Sequence, residues 1–147
     1  LKKLLKKLQG YDEIIIDNNP SINLCTTNAL CACDRLIIPA DLEKGALKGI
    51  ELTLQHSQEI LENIDGANFE IRILPTKIQR NKIDTETLEE LKTAYGSMVY
   101  QTNIRYQAAP IKDSSMKGRM LINDMKSRSK VAQDYRDLVA EVLQEEK

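Results

Sequence analysis

The fold of this chain is indicated by the stretch YDEIIIDNNPS, which runs from Tyr11 to Ser21. Three consecutive β-branched residues, Ile14 to Ile16, predict a short strand that is buried on both faces, as strands of parallel sheets are. Asp17 follows at once, and ligands of open α/β sheets bind beyond the carboxyl ends of such strands. A carboxylate there suits a phosphate-bound Mg²⁺, and the alternative is that Asp17 merely caps the next helix.

Strands and helices alternate along the rest of the chain. Further strands are predicted at 35–39, 69–74 and 98–104, and helices at 1–8, 22–32, 45–64, after Asp84, and at 131–143, where apolar residues form a stripe at helical spacing. Ser21 and Asp84 are the predicted N-caps, and Gly96 is the predicted helix stop. About four strands alternating with helices predict an α/β fold with a mostly parallel sheet flanked by helices.

The stretch from Tyr11 to Ser21 resembles the Walker B segment of the ParA/Soj family of partition ATPases. These proteins are relatives of MinD among the deviant-Walker P-loop ATPases. The resemblance continues at Asn28-Ala29-Leu30, Ile38-Pro39, Glu43, Ala46-Leu47, Gly49, Lys130, Ala132-Gln133, Tyr135-Arg136 and Leu138. It departs at Asn18 and Asn19, where the family usually has a small residue and a proline. This departure predicts a looser loop after Asp17.

The family's phosphate-binding loop has no counterpart among these residues. Such a loop needs clustered glycines, whose backbone N–H groups converge on phosphate oxygens, and a lysine. The six glycines are scattered, at 10, 45, 49, 66, 96 and 118, and none precedes Lys-Ser or Lys-Thr. Since the chain also opens at Leu1 inside an amphipathic helix, we expect residues 1–147 to be the C-terminal part of a single ParA-like ATPase domain. The expected fold is P-loop NTPase-like, three-layered and incomplete at its N-terminus.

The resemblance implies a nucleotide site with ATP and Mg²⁺ as its ligands. Asp17 would hold the Mg²⁺ through a water molecule. Glu43, Thr76, Lys77 and Arg80 would lie beside the nucleotide, the last three in the loop that resembles the adenine-side wall. Two alternatives remain open: Glu43 would support the start of a helix, and the loop from Thr76 would be a solvated connector.

Cations cluster toward the end of a chain whose total charge is balanced at 21 basic and 22 acidic residues. The family binds duplex DNA without sequence preference through basic residues of its C-terminal part, and such binding needs phosphate contacts and little base readout. The candidate DNA-binding residues are therefore Arg105, Lys117, Arg119, Lys126, Arg128 and Lys130. The alternative for the five cations from Lys117 to Lys130 is that they form the solvated start of the last helix.

The family implies a cytoplasmic, nucleoid-associated ATPase that partitions plasmids or chromosomes. Such a protein binds ATP and Mg²⁺ between two subunits of a homodimer, coats DNA, and is stimulated by a ParB-like partner protein. Because the phosphate-binding loop is missing, this chain is not expected to hydrolyse ATP alone, and no catalytic residue is assigned. The competing hypothesis is a non-catalytic DNA- or protein-binding module derived from this fold. No membrane attachment is expected, because no apolar run is long enough and the last helix ends with acidic residues.

Overall fold

The computed structural model of the chain describes residues 1–19, 21–42, 46–118 and 129–145. The elements in chain order are α1 (Lys2–Leu5), α2 (Leu24–Leu30), β1 (Arg35–Asp41), α3 (Ala46–Asn63), β2 (Glu70–Thr76), α4 (Lys82–Tyr95), a 3₁₀ turn (Gly96–Met98), α5 (Ala108–Met116) and α6 (Lys130–Glu145). The chain is an α/β protein with helices flanking a parallel pair of strands, β1 and β2. Within the described residues, no helix is both long and apolar enough to cross a membrane.

The helix ends follow from side chains that satisfy the first backbone N–H groups. Asn23 caps α2, since its side-chain oxygen accepts from the N–H groups of Cys25 and Thr26, so the prediction of Ser21 was wrong. Asn81 caps α4 in the same way, and Asp84, the predicted cap, lies inside the first turn. The predicted stop at Gly96 is confirmed.

The prediction of a buried strand at Ile14 to Ile16 was wrong. The residues are extended, but the described part of the chain provides no ladder for them, and Ile15 is 93% exposed. β-branched residues favour a strand only when a neighbouring strand pairs with the backbone and other side chains cover both faces. The parallel sheet of the described residues therefore has two strands where about four were expected.

The predicted strand at 98–104 is only partly formed. Its segment runs parallel to β2 and to the residues that follow β2, and it pairs with them at two isolated points, Ile73 with Val99 and Ile78 with Arg105. Between these points the β2 side advances by five residues and the other side by six, so the regular ladder cannot continue. Two backbone N–H groups inside this interval instead donate to one carboxylate of α6, that of Glu141.

The chain divides into two compact units, and the first comprises Leu1–Ile37 and Leu47–Arg72. Its core is formed by Leu30, Ile60 and Phe69, and Cys31 and Cys33 pack against it. Arg35 forms an ion pair with Glu70 from β1 to β2. The first unit thus holds the end of α2 and α3 together through one apolar cluster.

The second unit comprises Ile38–Ala46 and Ile73–Lys147. Its core contains Leu74, Tyr100, Ile104 and Val131, with Leu138 and Val142 of α6 packed against them. The helix predicted at 131–143 is confirmed, but the stripe is buried only in part, since Tyr135, Val139 and Leu143 are 39%, 49% and 47% exposed. The buried face of α6 includes an acid in place of an apolar residue, Asp134.

Candidate functional site

Asp17 lies in the first unit, at the end of the extended stretch, and its side chain is exposed. The chain after it is organised by side-chain hydrogen bonds. The Asn19 Oδ1 accepts from the Ser21 hydroxyl at 2.9 Å, and the Asn23 Nδ2 donates to that hydroxyl oxygen at 2.9 Å. The Thr26 hydroxyl donates to the Ser21 carbonyl at 2.7 Å. Asparagine and hydroxyl side chains thus connect the residues that precede α2.

Asp17 has the chemistry of a Mg²⁺ ligand. The described residues contain no cluster of three or more His, Cys, Asp or Glu side chains that could hold a metal ion. Mg²⁺ is commonly bound by one or two carboxylates, several waters and substrate phosphates. A single exposed carboxylate fits that mode, in which water and phosphate oxygens supply the other ligands.

An open groove of about 560 Å³ lies in the second unit. It is lined by Ile78, Gln79, Arg80, Asn103, Arg105, Tyr106, Gln107 and Lys130. These side chains come from the loop after β2, from the segment that pairs with β2, and from the first residue of α6. The groove therefore joins one candidate nucleotide residue, Arg80, with two candidate DNA-binding residues, Arg105 and Lys130.

Arg105 is held in the groove wall by a buried carboxylate. Its Nε and Nη2 donate to the two oxygens of Asp134 at 2.7 and 2.6 Å, and its backbone N–H donates to the same side chain at 3.0 Å. The side chain of Asp134 is 6% exposed and that of Arg105 is 36% exposed. The hydrogen bonds to Asp134 raise the pKa of Arg105 above its usual value. The bidentate geometry fixes the plane of the guanidinium group.

Arg80 and Lys130 differ from Arg105, since no hydrogen bond or ion pair holds them within the described residues. Both are exposed. The Gln107 side chain, also in the groove, accepts from the backbone N–H of Val131 at 3.0 Å and so caps the start of α6. Among the described residues, the groove consequently has one cation that a carboxylate compensates, Arg105, and two that no acid compensates, Arg80 and Lys130.

Lys77 and Thr76 stand at the carboxyl end of β2, and neither lines the groove. Lys77 has a φ of 56°, and its Nζ forms an ion pair with Asp41, the last residue of β1. Thr76 is half-buried. The ends of the two neighbouring strands are thus joined by opposite charges in the second unit.

Lys117 lies at the end of α5, where its Nζ donates to Asp113 at 2.6 Å. The remaining candidates, Glu43, Arg119, Lys126 and Arg128, lie outside the described residues. Of the six candidate DNA-binding residues, the described part of the chain includes Arg105, Lys117 and Lys130, and of these Arg105 and Lys130 line the groove.

The sequence reasoning missed the polar groove residues Asn103, Tyr106 and Gln107 and the two acids that anchor their segment. Asp134 and Glu141 are seven residues apart, so they lie on the same side of α6 as the apolar residues of the core. An acid at a core position of a helical pattern is a signal of a buried ion pair or of captured backbone N–H groups. That signal was present in the sequence.

The chain was compared with known proteins. A family model described as an AAA domain matches residues 1–73. The sporulation initiation inhibitor protein Soj of Bacillus subtilis is 33% identical over 148 residues, which cover 97% of this chain and 56% of the relative. The chromosome-partitioning ATPase Soj of Treponema pallidum is 32% identical over 116 residues, 75% of this chain and 46% of the relative.

A third relative, the chromosome partitioning protein ParA of Caulobacter vibrioides, is 27% identical over 143 residues, 93% of this chain and 51% of the relative. The chain spans about half the length of the curated relatives it matches. The similarity covers both units of the chain in the longest of these matches.

Proposed function

Because the chain belongs to the ParA/Soj-type family of partition ATPases and has the family's P-loop NTPase-like α/β fold, we propose that it acts in plasmid or chromosome partitioning. The whole protein binds ATP and Mg²⁺, forms a homodimer, and binds duplex DNA without sequence preference. A ParB-like protein stimulates its hydrolysis of ATP, and it works in the cytoplasm on the nucleoid. Residues 1–147 are the C-terminal part of its single ATPase domain.

The observation that carries the DNA contact is the groove with two uncompensated cations. Arg80 and Lys130 present positive charge on an exposed surface of a chain whose net charge is only −1. Contacts to phosphate groups supply most of the affinity of nonspecific DNA binding, and each one releases counterions. Two such contacts are few, and Lys117, Arg119, Lys126 and Arg128 extend the set.

The candidate nucleotide contacts lie in both units. Asp17 would hold the Mg²⁺ through a water molecule, and the bound ion would neutralise charge that develops during phosphoryl transfer. The proposed nucleotide contacts in the second unit are Thr76, Lys77 and Arg80, at the end of β2 and in the loop after it, and Glu43. These residues bind and orient the nucleotide, while a glycine-rich phosphate loop, which these 147 residues lack, is needed to cradle its phosphates.

The first test is the ATPase activity of this chain. We expect no Mg²⁺-dependent hydrolysis from the purified chain, because no glycine-rich loop is present to position the phosphates. The measurement is phosphate release with and without Mg²⁺. A rate that is lost on Asp17→Ala would show that the chain is an enzyme by itself and would contradict this part of the proposal.

The second test is binding to a short DNA duplex of mixed sequence, followed by fluorescence anisotropy at several salt concentrations. Reversing the charge of the two groove cations other than Arg105, with Arg80→Glu and Lys130→Glu, is expected to weaken binding at least tenfold at low salt and to flatten the salt dependence. The matched control is Lys3→Glu with Lys48→Glu, two reversals at exposed positions of α1 and α3. Equal losses for the groove variant and the control would remove the groove from the proposal.

The same experiment decides the second candidate function, a non-catalytic DNA- or protein-binding module. Its supporting observation is the absence of a glycine-rich phosphate loop from the sequence. That candidate predicts duplex binding that is indifferent to ATP, whereas a partition ATPase responds to nucleotide. Adding ATP and Mg²⁺ to the chain, and to a longer protein that carries a phosphate-binding loop, separates the two.

A further inference from the structure

We propose that Asp134 is a positioning residue that masks the charge of Arg105, so that Arg105 makes no phosphate contact while Arg80 and Lys130 make them. The proposal deepens the DNA contact proposed above and rests on it. The ligand is a polyanion that carries phosphate groups. What is new is that the three groove cations have different roles: one is held by a carboxylate, and two bind phosphate.

The geometry at Asp134 supports a held cation. Three N–H groups of one residue, Arg105, donate to the two oxygens of Asp134 at 2.6 to 3.0 Å. The carboxylate is almost fully buried on α6, so little water competes for it. A guanidinium bound in this way through Nε and Nη2 has its plane fixed and its charge compensated at contact distance.

The surroundings of the pair keep it in place. The carboxylate of Glu141, two helical turns after Asp134, accepts from the backbone N–H groups of Gln101 and Thr102 at 2.7 and 2.8 Å. Gln107, on the other side of Arg105, accepts from the N–H of Val131. The segment that carries Arg105 is thus tied to α6 before, at and after this residue. Arg105 cannot leave Asp134 without either breaking these bonds or turning its own side chain.

The other two cations have no such anchor. Arg80 lies in the loop after β2 and Lys130 at the first residue of α6, both exposed and both without an ion pair in the part of the chain that the structure describes. An arriving phosphate therefore gains the interaction with Arg80 and Lys130 in full. To interact with Arg105, the phosphate would have to displace the buried carboxylate of Asp134. The charge of Asp134 would then stay buried without its partner, which is unfavourable.

The consequence is a gain of phosphate binding when the carboxylate is neutralised. Asp134→Asn keeps the size of the side chain and removes its charge, so the guanidinium of Arg105, already 36% exposed, becomes available to the groove. One added phosphate contact makes the plot of log K against log salt steeper by about 0.9. A purely structural role for Asp134 predicts lower stability and no steeper salt dependence.

The experiment measures the salt dependence of binding to a short DNA duplex of mixed sequence for the full chain and five variants. Asp134→Asn is expected to steepen the slope by about 0.9. The double variant Asp134→Asn with Arg105→Gln is expected to return to the wild-type slope. Glu90→Gln, which removes the same charge from an exposed position of α4, is the matched control and is expected to leave the slope unchanged. Inorganic triphosphate as competitor tells whether a free polyphosphate occupies the same groove.

Two single variants test the proposal without depending on whether Asp134→Asn folds. Arg105→Gln in the presence of Asp134 is expected to leave the slope unchanged, whereas Arg80→Gln is expected to flatten it by about 0.9. A flatter slope for Arg105→Gln would overturn the proposal, because it would show that the arginine already binds phosphate.

The outcomes separate this proposal from the proposed function. If the wild-type chain binds the duplex and Asp134→Asn has the same slope, the masking is wrong and the DNA contact stands. If the wild type does not bind and Asp134→Asn does, the masking is supported and the DNA contact of the wild-type chain is wrong. Binding by neither protein overturns both.

Discussion

At the scale of single residues, Lys77 combines an unfavourable backbone with an ion pair. A φ of 56° brings the Cβ of an L-residue close to its own backbone, which costs about 1 kcal/mol or more, and glycine does not pay this cost. The ion pair with Asp41 is partly exposed, at 63% for the lysine side chain and 33% for the aspartate. Exposed pairs of this kind contribute at most about 1 kcal/mol. The two effects oppose each other at one residue.

Comparing Lys77→Gly with Lys77→Ala tests this interpretation. Both variants lose the ion pair with Asp41, and only glycine relieves the backbone, so Lys77→Gly is expected to be more stable than Lys77→Ala by about 1 kcal/mol. The measurement is urea unfolding followed by circular dichroism. Equal free energies of unfolding would mean that the backbone at this position is not strained in solution.

A second prediction concerns the cysteines. Burial raises the pKa of the Cys33 thiol, so less of it is thiolate at a given pH, while Cys25 is exposed. Iodoacetamide near pH 8 is therefore expected to modify Cys25 first and Cys33 last, as read by peptide mass spectrometry. In urea the difference should disappear, because it depends on burial; if it persists there, the cause lies elsewhere.

The same shift has a definite effect on stability. A raised pKa in the folded state means that the folded protein favours the protonated thiol. This contribution is fully present below the pKa of the unfolded thiol, and it is lost as the pH rises through the folded value.

At the scale of elements, α6 organises the segment that follows the 3₁₀ turn. Its acids accept five hydrogen bonds from that segment, two at Glu141 and three at Asp134. The N–H groups of Gln101 and Thr102 would otherwise be left without the ladder partners of a regular strand. The helix thus replaces part of a sheet as the partner of this backbone.

Glu141→Ala tests whether α6 serves as the partner of this backbone. The substitution leaves two backbone donors without their carboxylate, so we expect a loss of about 2 kcal/mol in the free energy of unfolding. We also expect faster hydrogen exchange at the amides of Gln101 and Thr102. Asp137→Ala, at an exposed position of the same helix, is the control and should cost less than about 0.5 kcal/mol. Unchanged exchange in Glu141→Ala would show that these amides are protected by something else.

Most helices were predictable from the sequence because their signals are local. The apolar spacing of α3, the positive-φ glycine after α4 and the periodicity of α6 depend on neighbouring residues only. The outcome for the strands predicted at 14–16 and 98–104 could not be foreseen in this way. A strand depends on the strand that pairs with it, which lies far away in the chain or in another segment. For the groove, the sequence supplied Arg80, Arg105 and Lys130 as candidates. It could not show that they meet, or that Asp134 holds one of them.

At the scale of the whole molecule, some apolar residues that were expected to be buried are exposed. Ile14 and Ile15 are 44% and 93% exposed, although their residue type and spacing are those of a buried strand. In contrast, Ile73 in β2 is completely buried. Because hydrophobic stabilisation follows the apolar area removed from water, these isoleucines contribute very differently to stability.

The fourth prediction compares two of these isoleucines. Ile15→Ala is expected to change the free energy of unfolding by less than about 0.5 kcal/mol, since the side chain already contacts water. Ile73→Ala is expected to cost about 3 kcal/mol, because it leaves a cavity in the core. Both values come from urea titrations of the same preparation. A loss of more than about 2 kcal/mol for Ile15→Ala would show that this side chain is packed in solution, as the sequence suggested.

Between the two pairing points the β2 side advances by five residues, and the segment that ends at Arg105 advances by six. This difference of one residue decides on which face of the segment each side chain lies. In a regular parallel ladder that begins with Ile73 and Val99, the residue opposite Ile78 would be Ile104. The additional residue gives that place to Arg105 and allows Ile104 to enter the core, where it is 4% exposed. If the segment instead paired as a regular ladder from Val99, with all its residues kept, the two side chains would exchange places, bringing a charge to the core and an isoleucine to the groove. Which side chains line the groove thus depends on this one additional residue.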